Sequence, residues 1–118
     1  MFQFNATQPI YIQMIDIFKL KIISGEWEKG ARVPPVRDLA LQYGVNPNTM
    51  QRSLSELERE GLMYTERTSG RFITKDCSAI ENEKKKMADI EIRSFLGKMS
   101  GFGYTTEEIT RLIEDAAK

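Results

Sequence analysis

Between Val36 and Leu57 two runs of helical period follow each other with almost no chain between them. Val36, Leu39, Ala40 and Tyr43 fall at i, i+3, i+4 and i+7, and Met50, Leu54 and Leu57 form a second apolar stripe. Gly44 between them has the backbone freedom a sharp turn needs, and it ends the first helix. Asn46 is a good N-cap for the second, and Pro47 suits its first position. Ala40, four residues before the glycine, supplies the small side chain that two closely crossing helices require. Met50, six residues after it, can plug the core between them. The spacing predicts a helix-turn-helix.

The flanks complete a larger unit. Tyr11, Met14, Ile15, Phe18 and Ile22 recur every three or four residues, which predicts a helix over about Pro9 to Ser24 with Thr7 as N-cap and Gly25 as stop. Gly25, Gly30, Pro34 and Pro35 make the next segment a loop, in which Arg32 and Val33 can be extended. After Gly61, Leu62 to Glu66 and Arg71 to Lys75 read as two strands around Thr68-Ser69-Gly70. Helix, short helix, tight turn, helix, hairpin is the order of a winged helix-turn-helix. Two more helices follow. One spans about Ser78 to Met99, and the other starts at Thr105, where Thr105 and Glu108 fit a capping box. The expected fold class is therefore α+β: a winged helix-turn-helix over residues 1–75, then an all-α tail of two helices over 76–118.

Composition narrows the function. The 118 residues include no histidine, which removes Ser-His-Asp and Cys-His catalysis and every zinc site built on imidazole. One cysteine, Cys77, excludes an internal disulfide and a CxxC site. There is no phosphate-binding glycine-rich loop and no nucleophile motif, so an enzyme is not expected, nor a metal or cofactor. No apolar run is long enough to span a membrane, and the start lacks the charged region of a signal peptide. A cytoplasmic location is the expectation. Seventeen basic and seventeen acidic residues leave no net charge, so binding to nucleic acid must be argued from local features.

In a winged helix-turn-helix the third helix enters the major groove by its N-terminal end. The residues exposed there are Asn48, Thr49, Gln51 and Arg52. Amides and arginine can pair with adenine or guanine edges, and Thr49 can reach a phosphate or a thymine methyl. The bland reading is a solvated helix face. Glu56, Glu58 and Glu60 make the far end acidic, which suits insertion by the near end. Arg37, in the first turn of the second helix, either contacts a phosphate or pairs with Asp38. Thr68, Ser69, Gly70 and Arg71 form either a wing that approaches the backbone and the minor groove or an ordinary turn. Lys84, Lys85 and Lys86, flanked by acids, read as a solvated face, and Trp27 as a core anchor.

Four motifs carry a family resemblance: Val33-Pro-Pro-Val-Arg-Asp-Leu-Ala40, Gly44-Val-Asn-Pro-Asn-Thr-Met-Gln-Arg52, Leu57-Glu-Arg-Glu-Gly-Leu62 and Gly70-Arg-Phe-Ile73. In order and spacing they resemble the DNA-binding domain of GntR-type bacterial transcription regulators, and the Asn-Pro-Asn-Thr start and short tail are similar to the YtrA-type subfamily. The resemblance implies a dimer in the bacterial cytoplasm that controls an operon often containing transporter genes; the function expected of it is that of a homodimeric repressor on a double-stranded DNA operator. It implies DNA contacts at Arg37, the first turn of the third helix and Gly70. Many members have arginine where Pro47 and Gln51 stand here, so contacts made by those arginines do not carry over. Serine or a similar cap is common where Pro35 stands.

Only 43 residues remain for the tail. Two helices do not enclose a ligand pocket of ~300 Å³ by themselves, so the sequence leaves a small-molecule effector open. They do carry an apolar stripe of Phe95, Leu96, Met99, Ile109, Leu112 and Ile113, which needs a cover. A second copy provides one, giving a two-fold dimer that meets a pseudo-palindromic site. The other possibility is that the tail folds back on the first helix. Two functions compete: a sequence-specific DNA-binding transcription regulator, and a winged-helix module that binds a protein through the same surfaces. The zero net charge is the best support for the second.

Overall fold

In a computed structural model, which describes residues 3–118, the order of elements is α1 (Ile10–Ile23), α2 (Val36–Tyr43), α3 (Pro47–Arg59), β1 (Met63–Glu66), β2 (Gly70–Ile73), α4 (Cys77–Gly101) and α5 (Thr106–Ala116). The strands form one antiparallel pair in which Met63 faces Ile73 and Glu66 faces Gly70. The predicted winged helix-turn-helix is present, followed by two helices. By contacts the chain divides into two compact units, one reaching to Asn82 and one over Glu83–Lys118. Among the described residues no helix is long and apolar enough to cross a membrane.

The first unit is built around α1 and α3. Met14, Phe18 and Ile22 from α1 and Met50, Leu54 and Leu57 from α3 are almost completely buried. Leu39, Ala40 and Tyr43 of α2 join them, and Met63 and Ile73 close the core from the hairpin. Phe18 organises the aromatic part, stacked on Trp27 at 4.9 Å between centroids and edge-on to Tyr43 at 5.7 Å. Ile80, near the start of α4, is also in this core.

The tight turn forms as its residues demand. Gly44 is left-handed, with φ 67° and ψ 38°. That lets the Val45 N–H reach back to the Ala40 carbonyl at 2.9 Å and closes the helix end. The Asn46 side chain accepts the Asn48 N–H at 2.8 Å, and Pro47, which has no N–H to satisfy, opens α3. At the far end of α3 the Leu62 N–H bonds the Leu57 carbonyl, which aims the chain into β1. The loop before α2 pairs with β2: Val33 N–H donates to the Arg71 carbonyl at 2.8 Å, and Ile73 N–H to the Ala31 carbonyl at 2.9 Å. The extended piece expected at Arg32 and Val33 thus lies alongside the hairpin.

The start of α1 differs from the expectation. Thr7 does not cap it, because its N–H and hydroxyl both bond the Asn5 side chain, at 3.0 and 2.7 Å. Pro9 holds the cap position instead, with no side-chain hydrogen bond. The fastening comes from Gln13, a buried polar residue on α1. Its amide donates to the carbonyls of Asn5 and Gln8, both at 2.9 Å, and its Oε1 accepts the Asn5 N–H. At the hairpin, the strands begin one residue away from the expected positions and the turn is Arg67 to Ser69.

In the second unit the capping box is present. Thr105 accepts the Glu108 N–H, and Glu108 accepts the Thr105 N–H. Ile109 is buried, whereas Ile90, Ile92, Phe95, Leu96, Phe102, Leu112 and Ile113 are exposed in the single chain. Two substitutions test the core of the first unit. Leu54→Ala should cost about 2–5 kcal/mol, the loss expected at a fully buried leucine. Gly44→Ala should cost about 1–2 kcal/mol through the left-handed backbone alone. Urea midpoints of the three proteins give both values.

Candidate nucleic-acid interface

The burial of α3 separates two sides. Met50, Ser53, Leu54 and Leu57 are buried, while Asn48, Gln51, Arg52 and Ser55 are exposed and Thr49 is half-buried. The candidate reading residues of α3 therefore share the outward side of its first two turns. Each is held differently. The Asn48 backbone is fixed by the cap, and the Gln51 amide donates to the Ser55 hydroxyl at 3.1 Å. The Arg52 guanidinium lies over the Tyr11 ring, with Cζ 3.6 Å from its centroid. Ser53 makes a buried polar link to α1, its hydroxyl lying 3.1 Å from the carbonyls of both Tyr11 and Thr49.

The acidic end of α3 is neutralised residue by residue. Glu56 receives the Arg59 guanidinium, with Nη2 2.7 Å from Oε2. These hydrogen bonds hold the Glu56 carboxyl below the ordinary carboxylate range, and the Arg59 and Arg52 charges add smaller contributions. Glu60 pairs with Lys19 of α1 at 3.0 Å. Glu58 turns to the hairpin, accepting from Arg71 Nε at 3.1 Å and from the Thr65 hydroxyl at 2.6 Å. Arg71 is thereby aimed at α3, not at the turn, and its side chain is only 17% exposed.

The wing turn itself carries Arg67, Thr68 and Ser69, all exposed. Gly70 follows at φ 112°, and a Cβ there would sit 3.3 Å from Nε and Nη2 of Arg32. Arg32 and the wing glycine are therefore in close approach. Arg37 is exposed in the first turn of α2, and among the described residues it has no ion pair with Asp38 or any other acid. Three residues escaped the sequence reading. Tyr11 fits a core stripe by spacing, yet it follows the helix start and is only half-buried. Arg67 sits within the predicted turn region and was legible there as a basic tip. Arg32 had no local signal, because its approach to Gly70 depends on the pairing of the loop with β2.

This arrangement suits a nucleic acid. An exposed helix face carries amides and arginine, and the helix begins with backbone N–H groups that favour phosphate. Among the described residues no group of three or more acidic, cysteine or histidine side chains could hold a metal ion. A cleft of about 420 Å³ beside Trp27, where Lys29 Nζ lies 3.1 Å from Cys77 Sγ, is lined by none of the candidate residues.

The family profile of bacterial regulatory proteins, gntR family, matches residues 11–73. The chain belongs to the GntR family. Its GntR-type fold extends through the tail. It is 36% identical over 107 residues to the HTH-type transcriptional regulator YhcF of Bacillus subtilis, covering 91% of this chain and 88% of that protein. It is 34% identical over 112 residues to the HTH-type transcriptional repressor YtrA of the same organism, covering 95% and 74%. Its structure is similar to that of a GntR family transcriptional regulator from Listeria monocytogenes, with TM-score 0.88, 33% identity and coverage of 95% and 98%. The GntR core alone is similar to the DNA-binding domain of AraR in complex with operator ORX1, with TM-score 0.56, 25% identity and coverage of 63% and 93%.

The link from Glu58 to the wing gives a prediction. Glu58→Ala leaves the half-buried Arg71 and the exposed Thr65 without their shared acceptor. Amide exchange in β1 and β2 should speed up. The unfolding midpoint should change little, since a partly exposed pair is worth about 0.2–1 kcal/mol. Hydrogen-exchange mass spectrometry of the two proteins checks this.

Proposed function

We propose that this chain is a sequence-specific DNA-binding transcription regulator that acts in the cytoplasm as a homodimer, repressing from a pseudo-palindromic operator. The observation that carries this reading is the outward side of α3. Asn48, Gln51 and Arg52 stand together beside a capped helix start, backed by a buried core that fixes their position. Gln51 and Arg52 read base edges, while Asn48 and Thr49 serve the groove wall and phosphates. Arg37 contacts a phosphate from α2. At the wing, Arg67, Thr68 and Ser69 meet the backbone with Gly70 behind them. Arg71 supports the wing through Glu58 rather than touching DNA from its tip.

The second unit supplies the partner surface. Phe95, Leu96, Leu112 and Ile113 are each about two-fifths exposed or more, and Phe102 is 74% exposed. Met99 is half-buried and Ile109 is already covered, so these two contribute less new surface. Isolated apolar groups on a surface are normal, but a set on two adjoining helices calls for a cover. A second copy related by a two-fold axis covers both copies at once. Such a dimer presents two α3 helices to major grooves about 10 base pairs apart.

DNA fragments selected by the purified protein from a random pool test the reading directly. Selection of an inverted repeat is the expected result. Arg37→Ala should weaken binding to selected and scrambled DNA alike and lower the salt slope by about 1. Arg52→Ala and Gln51→Ala should mainly lower discrimination, by about 1–3 kcal/mol for each good bidentate contact. A protein that selects no sequence and binds DNA without salt dependence is instead a protein-interaction module. Leu96→Asp combined with Ile113→Asp should give a monomer by sedimentation velocity and bind single half-sites with lower affinity. A parent protein that is itself monomeric overturns the dimer.

A further inference from the structure

The Arg52 side chain has an obvious local partner with which it makes no hydrogen bond. Glu56 stands four residues on, the distance at which helix side chains meet. That carboxylate is instead held by Arg59 through three contacts of 2.7–3.3 Å. Among the described residues Arg52 makes no ion pair. Its guanidinium lies on the face of Tyr11, 3.6 Å from the ring centroid. The two interactions differ in what they leave over. A carboxylate takes the N–H fork that would pair with a base. A ring takes the face of the guanidinium and leaves the in-plane N–H donors unused.

We propose that Tyr11 is a positioning residue for base reading: its ring holds Arg52 by the face and leaves the hydrogen-bonding edge for a guanine. This rests on the DNA-reading function proposed above. Tyr11 is itself fixed. Its carbonyl accepts the hydroxyl of Ser53, which is fully buried and adjacent to Arg52. Two residues along, Gln13 ties the start of α1 to Asn5 and Gln8. Ring and guanidinium therefore sit on two helices locked together beside the contact. A long arginine side chain loses much rotamer freedom when it pairs with a base, and prior ordering removes part of that cost.

The test uses full-length protein and the DNA site that the parent selects. Tyr11→Phe keeps the ring and should behave as the parent. Tyr11→Leu keeps an apolar group but no ring. It should lower the ratio of affinities for selected and scrambled sites by roughly three- to tenfold, within the range of a cation–π contact that orders a base-reading group. In an Arg52→Ala background, Tyr11→Leu should change that ratio no further, a coupling that a purely structural role does not produce. NMR of the DNA-free protein gives an independent reading: the Arg52 side-chain signals should be shifted by the ring in the parent and in Tyr11→Phe, and not in Tyr11→Leu. Unchanged discrimination in Tyr11→Leu, an equal loss in the Arg52→Ala background, or unshifted Arg52 signals in the parent each overturn the inference. A parent that discriminates no site overturns the function it rests on, while the Arg52 signals still decide the contact.

Discussion

Ser53 is a fully buried polar group in the seam between α3 and α1, and the seating of α3 depends on it. It lies among Met50, Leu54 and Leu57, and its hydroxyl reaches the Tyr11 carbonyl. A buried hydroxyl is costly unless bonded, and here it has acceptors on both helices. A larger apolar residue would push the helices apart, and an alanine would leave the contact unspecified. With this seam fixed, the opposite side of α3 has one direction. The turn at Gly44 then places α2, and the Leu62 bond to Leu57 directs the hairpin.

The wing depends on the same helix by a different kind of force. Met63 and Ile73 bring the hairpin to the core by burial, which is strong but not directional. Glu58 adds direction, since one carboxylate oxygen gathers both Arg71 and Thr65. The acidic end of α3 thus has a structural purpose beyond keeping clear of phosphates. Glu56, Glu58 and Glu60 each bond a basic side chain, and two of those come from other elements.

Much of this was legible in the sequence where the signal was local. The stripe at Val36 to Leu57, the Gly44 turn, the Asn46 cap and the Thr105 box depend on neighbours within one or two turns, and all four formed as read. Helix-period burial of apolar residues was equally plain. What was hidden involved partners far apart in the chain or polar groups in apolar places. Gln13 looks like a solvent residue until the N-terminal segment folds over it. Arg71 looks like a wing tip until register turns its side chain toward Glu58. Tyr11 fits a core stripe, and only the crossing of α1 and α3 places Arg52 against it. The tail stripe was visible as a pattern, but a pattern does not show what covers it.

The pairing of acids and bases around α3 bears on how such a protein would be distributed in a cell. Lys19, Arg59 and Arg71 are counted among the cations of a chain with zero net charge, yet each is already engaged by a glutamate. A cation already held by a carboxylate has less to gain from a phosphate, so these three add less to attraction for arbitrary DNA than their number suggests, and Arg32, Arg37, Arg52 and Arg67 remain exposed for it. A bacterial chromosome offers on the order of 10⁶ or more such competing positions. Each cation withheld from phosphates lowers the share of a regulator held by that excess and raises the share free to find one operator.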